Sequence, residues 1–84
     1  MKIKIKKNTN KEDFINWPIW ECEKSQFDWE YKDEEHCYII AGYIIVTYNQ
    51  QNIIIKKGDY VIFPKGLKCN WKVLEPIKKH YMFK

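Results

Sequence analysis

The chain has 84 residues, with 15 lysines, 11 acidic residues and a net charge of +4, so it is one domain near the lower size limit for a single hydrophobic core. Every basic residue is lysine, and without arginine's bidentate fork the specific reading of phosphates and bases is disfavoured. Three cysteines, an odd number in a sequence that starts with no apolar leader, argue against a secreted disulfide framework and set the expectation of a reducing, cytoplasmic compartment.

In chain order, Lys2-Ile3-Lys4-Ile5-Lys6 alternates lysine with isoleucine, the pattern of a strand with one wet and one buried face. Lysines on such a strand discourage pairing with other chains. Thr9 to Asp13 supplies an N-cap and acidic residues for one short helical turn over Phe14 and Ile15, which Trp17-Pro18 should close. Beyond Pro18 the sequence reads as strands: 19–23, 26–32, 37–41, 43–48, 52–56, 60–63, 67–74 and 77–83 are short and rich in β-branched or aromatic residues. Residues 49–52 form a polar hairpin tip, and Lys57-Gly58-Asp59 and Pro64-Lys65-Gly66 are turns. The longest apolar run, 38–46, is broken by Ala41-Gly42 and is too short to span a bilayer. Many short strands without linker or internal repeat predict an all-β fold, a closed barrel or a double-sheet jelly roll.

Alternation assigns faces. In residues 27–31 the odd positions are aromatic and the even ones acidic, so Phe27, Trp29 and Tyr31 point inward. The same parity turns Leu67, Cys69, Trp71 and Val73 inward. In 78–83 both parities carry apolar or aromatic groups, His80 and Met82 on one face and Tyr81 and Phe83 on the other, and the inner face is left open. Glu35 and Cys37 share a face that His36 does not, so those three cannot coordinate together. An inward Glu35 is costly unless paired or hydrogen-bonded, and Tyr31 is an available donor. Cys37 reads as a small buried hydrophobe. Cys22 is assigned no role, and Trp17 and Trp20 read as indoles packed over the barrel or a partner, with a ligand platform as the alternative.

Two glycine frames, Glu35 to Gly42 and Gly58-Asp59 through Pro64-Lys65-Gly66 to Cys69, resemble the two sequence motifs of the cupin superfamily, small jelly-roll β-barrels (double-stranded β-helices) that usually hold a metal. The Trp17 to Glu21 block, Phe27 to Tyr31 and the Pro76 to Tyr81 end are similar to small single-domain cupins related to ureidoglycine aminohydrolase. The resemblance implies one cupin domain over 1–84, with an N-terminal segment over 1–24 and the barrel motifs over 25–84. Glu35 falls on the motif glutamate, a metal ligand in metal-binding members. Trp29 and Tyr31 stand where two histidines are usual, and Cys69 stands where a third is usual. An indole offers no in-plane lone pair, and a phenol with a pKa of about 10 is a reluctant ligand. A thiolate is a competent ligand for a soft metal, yet Glu35 and Cys69 are two ligands where a catalytic zinc takes three. No metal or other cofactor is therefore expected; a metal, if held, would take Glu35, Cys69 and His80.

Three functional classes follow. The first is a pocket for a small polar organic molecule, with Trp29, Tyr31 and Trp71 as walls and Glu35, Cys37, Cys69 and His80 at hand. The second is a small enzyme, metal-dependent or thiol-assisted, acting on a nitrogenous or carbonyl compound. The third is a single-strand nucleic-acid barrel, disfavoured because such binders expose their rings. The cupin resemblance also implies a homodimer paired through sheet edges, and no membrane partner is expected.

Overall fold

The computed structural model describes residues 2–7 and 14–84. The expected N-cap segment, Thr9 to Asp13, lies outside the described residues. Among the described residues seven strands form, β1 (Lys4–Lys6), β2 (Ile19–Cys22), β3 (Ser25–Glu30), β4 (Glu35–Tyr48), β5 (Gln51–Lys56), β6 (Tyr60–Phe63) and β7 (Lys68–Phe83). Every pairing is antiparallel. Among the described residues no helix is long and apolar enough to cross a membrane.

The long strands β4 and β7 organise the molecule because each changes partner halfway. The first part of β4, Glu35 to Tyr38, pairs with β6, and its second part, Tyr43 to Tyr48, with β5. Likewise the first part of β7, Ser25-matched Val73 back to Lys68, pairs with β3, and its later part, Ile77 to His80, with β2. As β4 and β7 also pair with each other, two sheets share them: β1-β6-β4-β7-β2, and β5-β4-β7-β3. This is the jelly-roll cupin architecture, with the core between the layers.

Two breaks expected from sequence are bends instead. Residues 37–41 and 43–48 are one strand, as are 67–74 and 77–83 apart from Leu67, which precedes β7. The β4–β7 register passes from Ala41↔Lys78 to Tyr43↔Glu75, leaving Gly42 facing Pro76 and Ile77 in a bulge. There Pro76 owes no ladder hydrogen bond. Gly42 has φ +108°, and a Cβ on it would sit 2.6 Å from both Ile77 Cα and Pro76 O, so the two sheets can fold together only around a glycine.

The core alternates as a pleated strand must: Cys37, Ile39, Ile44 and Val46 from β4 meet Val61, Phe63, Trp71, Val73 and Ile77. Tyr31 and Phe63 stack at 4.7 Å. On the other side of the first sheet, Phe14 stacks on Tyr38 and Tyr60 at 5.3 and 5.0 Å. Trp17 N–H donates to Phe14 O at 2.9 Å, closing a turn over this face. Asp59, almost fully buried, accepts from Lys56 N–H and Lys7 Nζ and so ties β1 to the Gly58-Asp59 turn.

Candidate functional site

The inner face of the jelly roll is not filled. A cavity of about 290 Å³ is lined by Trp20 from β2, Phe27 and Trp29 from β3, Tyr31 just beyond it, Glu35 from β4, and Trp71, Lys79, Tyr81 and Phe83 from β7. Parity explains the set. Phe27 pairs with Trp71, Trp20 with Lys79, and Glu35 with Phe83, and partners in an antiparallel ladder share a face. Tyr31, Glu35, Trp71 and Lys79 are buried and form the floor, whereas Trp29 and Phe83 are each half exposed and form the rim.

At the floor the Lys79 ammonium donates to both Glu35 oxygens, at 3.1 and 3.0 Å, with each side chain about 5% exposed. The same ammonium lies 4.7 Å from the centroid of Trp71 and 5.0 Å from that of Trp20. Carboxylate and indole faces thus share the desolvated cation. The buried Glu35 is satisfied by a lysine, not by the expected Tyr31.

Around this pair the titratable groups are held neutral. Burial, helped by the nearby Glu35 charge, pushes the Tyr31 phenol far above its usual value. Burial also pushes the Cys69 thiol up to about 11 and that of Cys37 up to about 12. The Trp71 indole N–H lies close enough to Tyr31 and Cys69 to ease their ionisation slightly, but it makes no hydrogen bond of acceptable geometry.

These groups do not fit a metal. The charge of Glu35 is already matched by an ammonium 3.0 Å away, Tyr31 and Cys69 are protonated at neutral pH, and among the described residues no three His, Cys, Asp or Glu side chains converge. His80 lies on the opposite face of β7 from Lys79, where its Nδ1 is 2.9 Å from Trp17 O beneath the N-terminal turn. The fallback triad of Glu35, Cys69 and His80 is therefore split across the sheet.

Of the residues singled out from sequence, Trp29, Tyr31, Glu35 and Trp71 line the cavity, while Cys37, Cys69 and His80 do not. Cys37 is fully buried in the core. Cys69 pairs with Trp29 one step further along the inner face and borders a shallow depression shared with Tyr48. His36 faces outward, bridging Tyr60 OH at 2.5 Å and Glu34 at 2.7 Å. Sequence reasoning missed Lys79, Tyr81 and Phe83 and put packing ahead of a ligand platform for Trp20. The signal for Lys79 was present: an inward carboxylate needs a partner, and Lys78-Lys79 offers a cation at either parity.

A family model of EutQ-like cupin domains matches residues 9–81. Among solved structures, a DUF861 family protein from Thermotoga maritima is 48% identical and covers 99% of this chain and 100% of its own, with a TM-score of 0.92. The EutQ protein of Clostridium difficile is similar at 20% identity over 96% of this chain and 66% of its own, with a TM-score of 0.72. A putative ethanolamine utilization protein Q from Salmonella typhimurium LT2 is similar at 17% identity, covering 96% and 68%, with a TM-score of 0.71. At these lower identities the likeness is one of fold. No curated protein matches the sequence. With the family model spanning most of the chain, and a relative 48% identical along its whole length, the chain belongs to the EutQ-like cupin domain family.

Proposed function

We propose that this cupin binds a small organic molecule in its inner cavity, between aromatic walls and over the Glu35–Lys79 pair. The cavity itself supports this reading. Its volume of about 290 Å³ lies at the lower edge of the range of ligand pockets, and apolar walls around a few convergent polar groups are the usual composition of such sites. A jelly roll of this size has few residues to spare for its core. Leaving Trp29 and Phe83 half exposed around an open cavity is costly unless something occupies it.

Within the family, kinship with the ureidoglycine aminohydrolase group is part of the proposal and rests on the Trp17 to Glu21 and Pro76 to Tyr81 blocks. Turnover of a nitrogenous or carbonyl compound is the second reading, favoured because a carboxylate and an amine held together out of water are suited to proton movement. No metal serves in either reading.

The test is intrinsic fluorescence titration against a panel of small metabolites, since Trp20, Trp29 and Trp71 all line the cavity. A binder should change the emission saturably in the wild type and less in Trp29→Ala, a change at a half-exposed rim position that leaves the fold intact. Failure of every compound to saturate, together with no co-purified mass, would refute the reading. So would binding that Trp29→Ala and Trp71→Phe both leave unaltered.

A further inference from the structure

The charge state of the cavity narrows what it can hold. We propose, resting on the binding role above, that its ligand is an uncharged, flat molecule of roughly ten non-hydrogen atoms carrying a carbonyl-type acceptor that takes a hydrogen bond from Lys79. Size sets the first limit: about 290 Å³ is the liquid volume of roughly ten waters at about 30 Å³ each.

Charge sets the second. A cationic ligand would seek Glu35 and the indole faces, but the Lys79 ammonium already holds both, 3.0 and 3.1 Å from the carboxylate oxygens and 4.7 and 5.0 Å from the Trp71 and Trp20 ring centroids. Two ammonium groups in one desolvated cage repel. An anionic ligand would have to draw Lys79 from Glu35, leaving a carboxylate that is about 5% exposed without its counter-charge. Only a neutral molecule leaves the pair intact.

Hydrogen bonding sets the third. An ammonium carries three N–H donors, and among the described residues its hydrogen-bond acceptors are the two Glu35 oxygens. The unmatched group facing the cavity is thus a donor, so the complementary ligand atom is an acceptor. The half-exposed faces of Trp29 and Phe83 and the ring of Tyr81 suit a flat body.

Benzamide, benzoate and benzylammonium share one ring and nearly one size and differ in charge, so the experiment titrates each by calorimetry and by intrinsic fluorescence at neutral pH. The probes are run on the wild type and on Glu35→Met/Lys79→Met, which removes the donor and both charges without stranding either. Benzamide should bind the wild type at least tenfold more tightly than either charged analogue. In the double variant its affinity should drop at least tenfold, and the preference over charged analogues should shrink. Benzoate or benzylammonium binding as tightly as benzamide would overturn the inference, as would benzamide affinity unchanged in a folded double variant. If none of the three binds while another compound saturates the fluorescence change, this inference fails and the binding role stands; if nothing saturates it, the binding role fails as well.

Discussion

Lys79→Met should destabilise the protein strongly, because it leaves Glu35 with no counter-charge. The two side chains are 6% and 5% exposed and joined at 3.0 Å. Removing one partner of a buried pair costs about 3–5 kcal/mol, whereas replacing both with well-packed hydrophobic residues of similar volume is often neutral or stabilising. Methionine keeps most of the stem volume and offers its sulfur to Trp20 and Trp71, so lost packing adds little. For a domain of this size about 1 kcal/mol shifts the melting temperature by about 4–8 °C, and Lys79→Met should therefore melt lower by on the order of 20 °C. Glu35→Gln should also destabilise, by less, because the carboxamide oxygen still accepts from Lys79 and the indole faces still hold the ammonium at 4.7 and 5.0 Å. The double variant Glu35→Gln/Lys79→Met should recover part of the loss, staying below the wild type by about 1–3 kcal/mol, the cost of an unpartnered buried carboxamide. Urea and thermal melts of the four proteins close the cycle. A carboxylate left over without a working partner would give the opposite sign, a Glu35→Gln protein as stable as the wild type or more so. Strictly additive single effects would refute the pairing.

Gly42→Ala should cost more than Gly58→Ala: both glycines have positive φ, but a new Cβ at Gly42 would lie 2.6 Å from two backbone atoms, whereas at Gly58 it meets nothing within 4 Å. The dihedral penalty alone is about 1–3 kcal/mol, so equal losses in paired melts would contradict the bend assigned to Gly42. Cys22, the partly exposed thiol, should react with a thiol reagent in the native protein, and the buried Cys37 and Cys69 only on unfolding; mass spectrometry counts the adducts. Those two thiols have folded values raised by burial to about 12 and about 11 from about 9. Their contribution to stability is thus intact below about pH 9 and is lost as pH rises towards 11–12. The melting temperature should fall across that window, and a melt that stays flat there would contradict their burial. Elemental analysis of the isolated protein should find no stoichiometric transition metal, and a chelator should leave the melt unchanged.

Periodicity made the inward faces of β3 and of the first part of β7 legible, because there apolar and charged residues alternate strictly: Phe27, Trp29 and Tyr31 against Asp28 and Glu30. At the end of β7 it failed for a physical reason. One face there lines the aromatic cavity and the other is covered by the turn carrying Phe14 and Trp17, so His80 and Tyr38 are buried on the outer side and no polar face remains to set the parity. Gly42 and Pro76 looked like strand ends because each weakens a strand alone. Only their juxtaposition across β4 and β7 makes a bulge, and that is a property of a pair distant in sequence. Lys79 was hidden because a lysine is ordinarily read as solvated.

Lys79 gives the buried Glu35 a counter-charge that needs no metal. The cupin resemblance sets Trp29, Tyr31 and Cys69 where histidines are usual, and the β7 lysine occupies the place beside Glu35 that a cation would take. Restoring ligands alone should then fail. A divalent ion bound to Glu35 would lie about 4 Å from the ammonium, a repulsion of about 8 kcal/mol at an effective dielectric near 20. That is enough to cancel much of the affinity of a reconstructed site. Trp29→His/Tyr31→His/Cys69→His should therefore bind zinc weakly, and adding Lys79→Ala should strengthen binding by orders of magnitude, since it removes the competing charge and leaves Glu35 in need of a cation. Calorimetric zinc titration of the two variants, with folding checked by far-UV circular dichroism, measures the difference. Equal zinc affinity in folded proteins with and without Lys79 would show that the ammonium does not hold the cation's place.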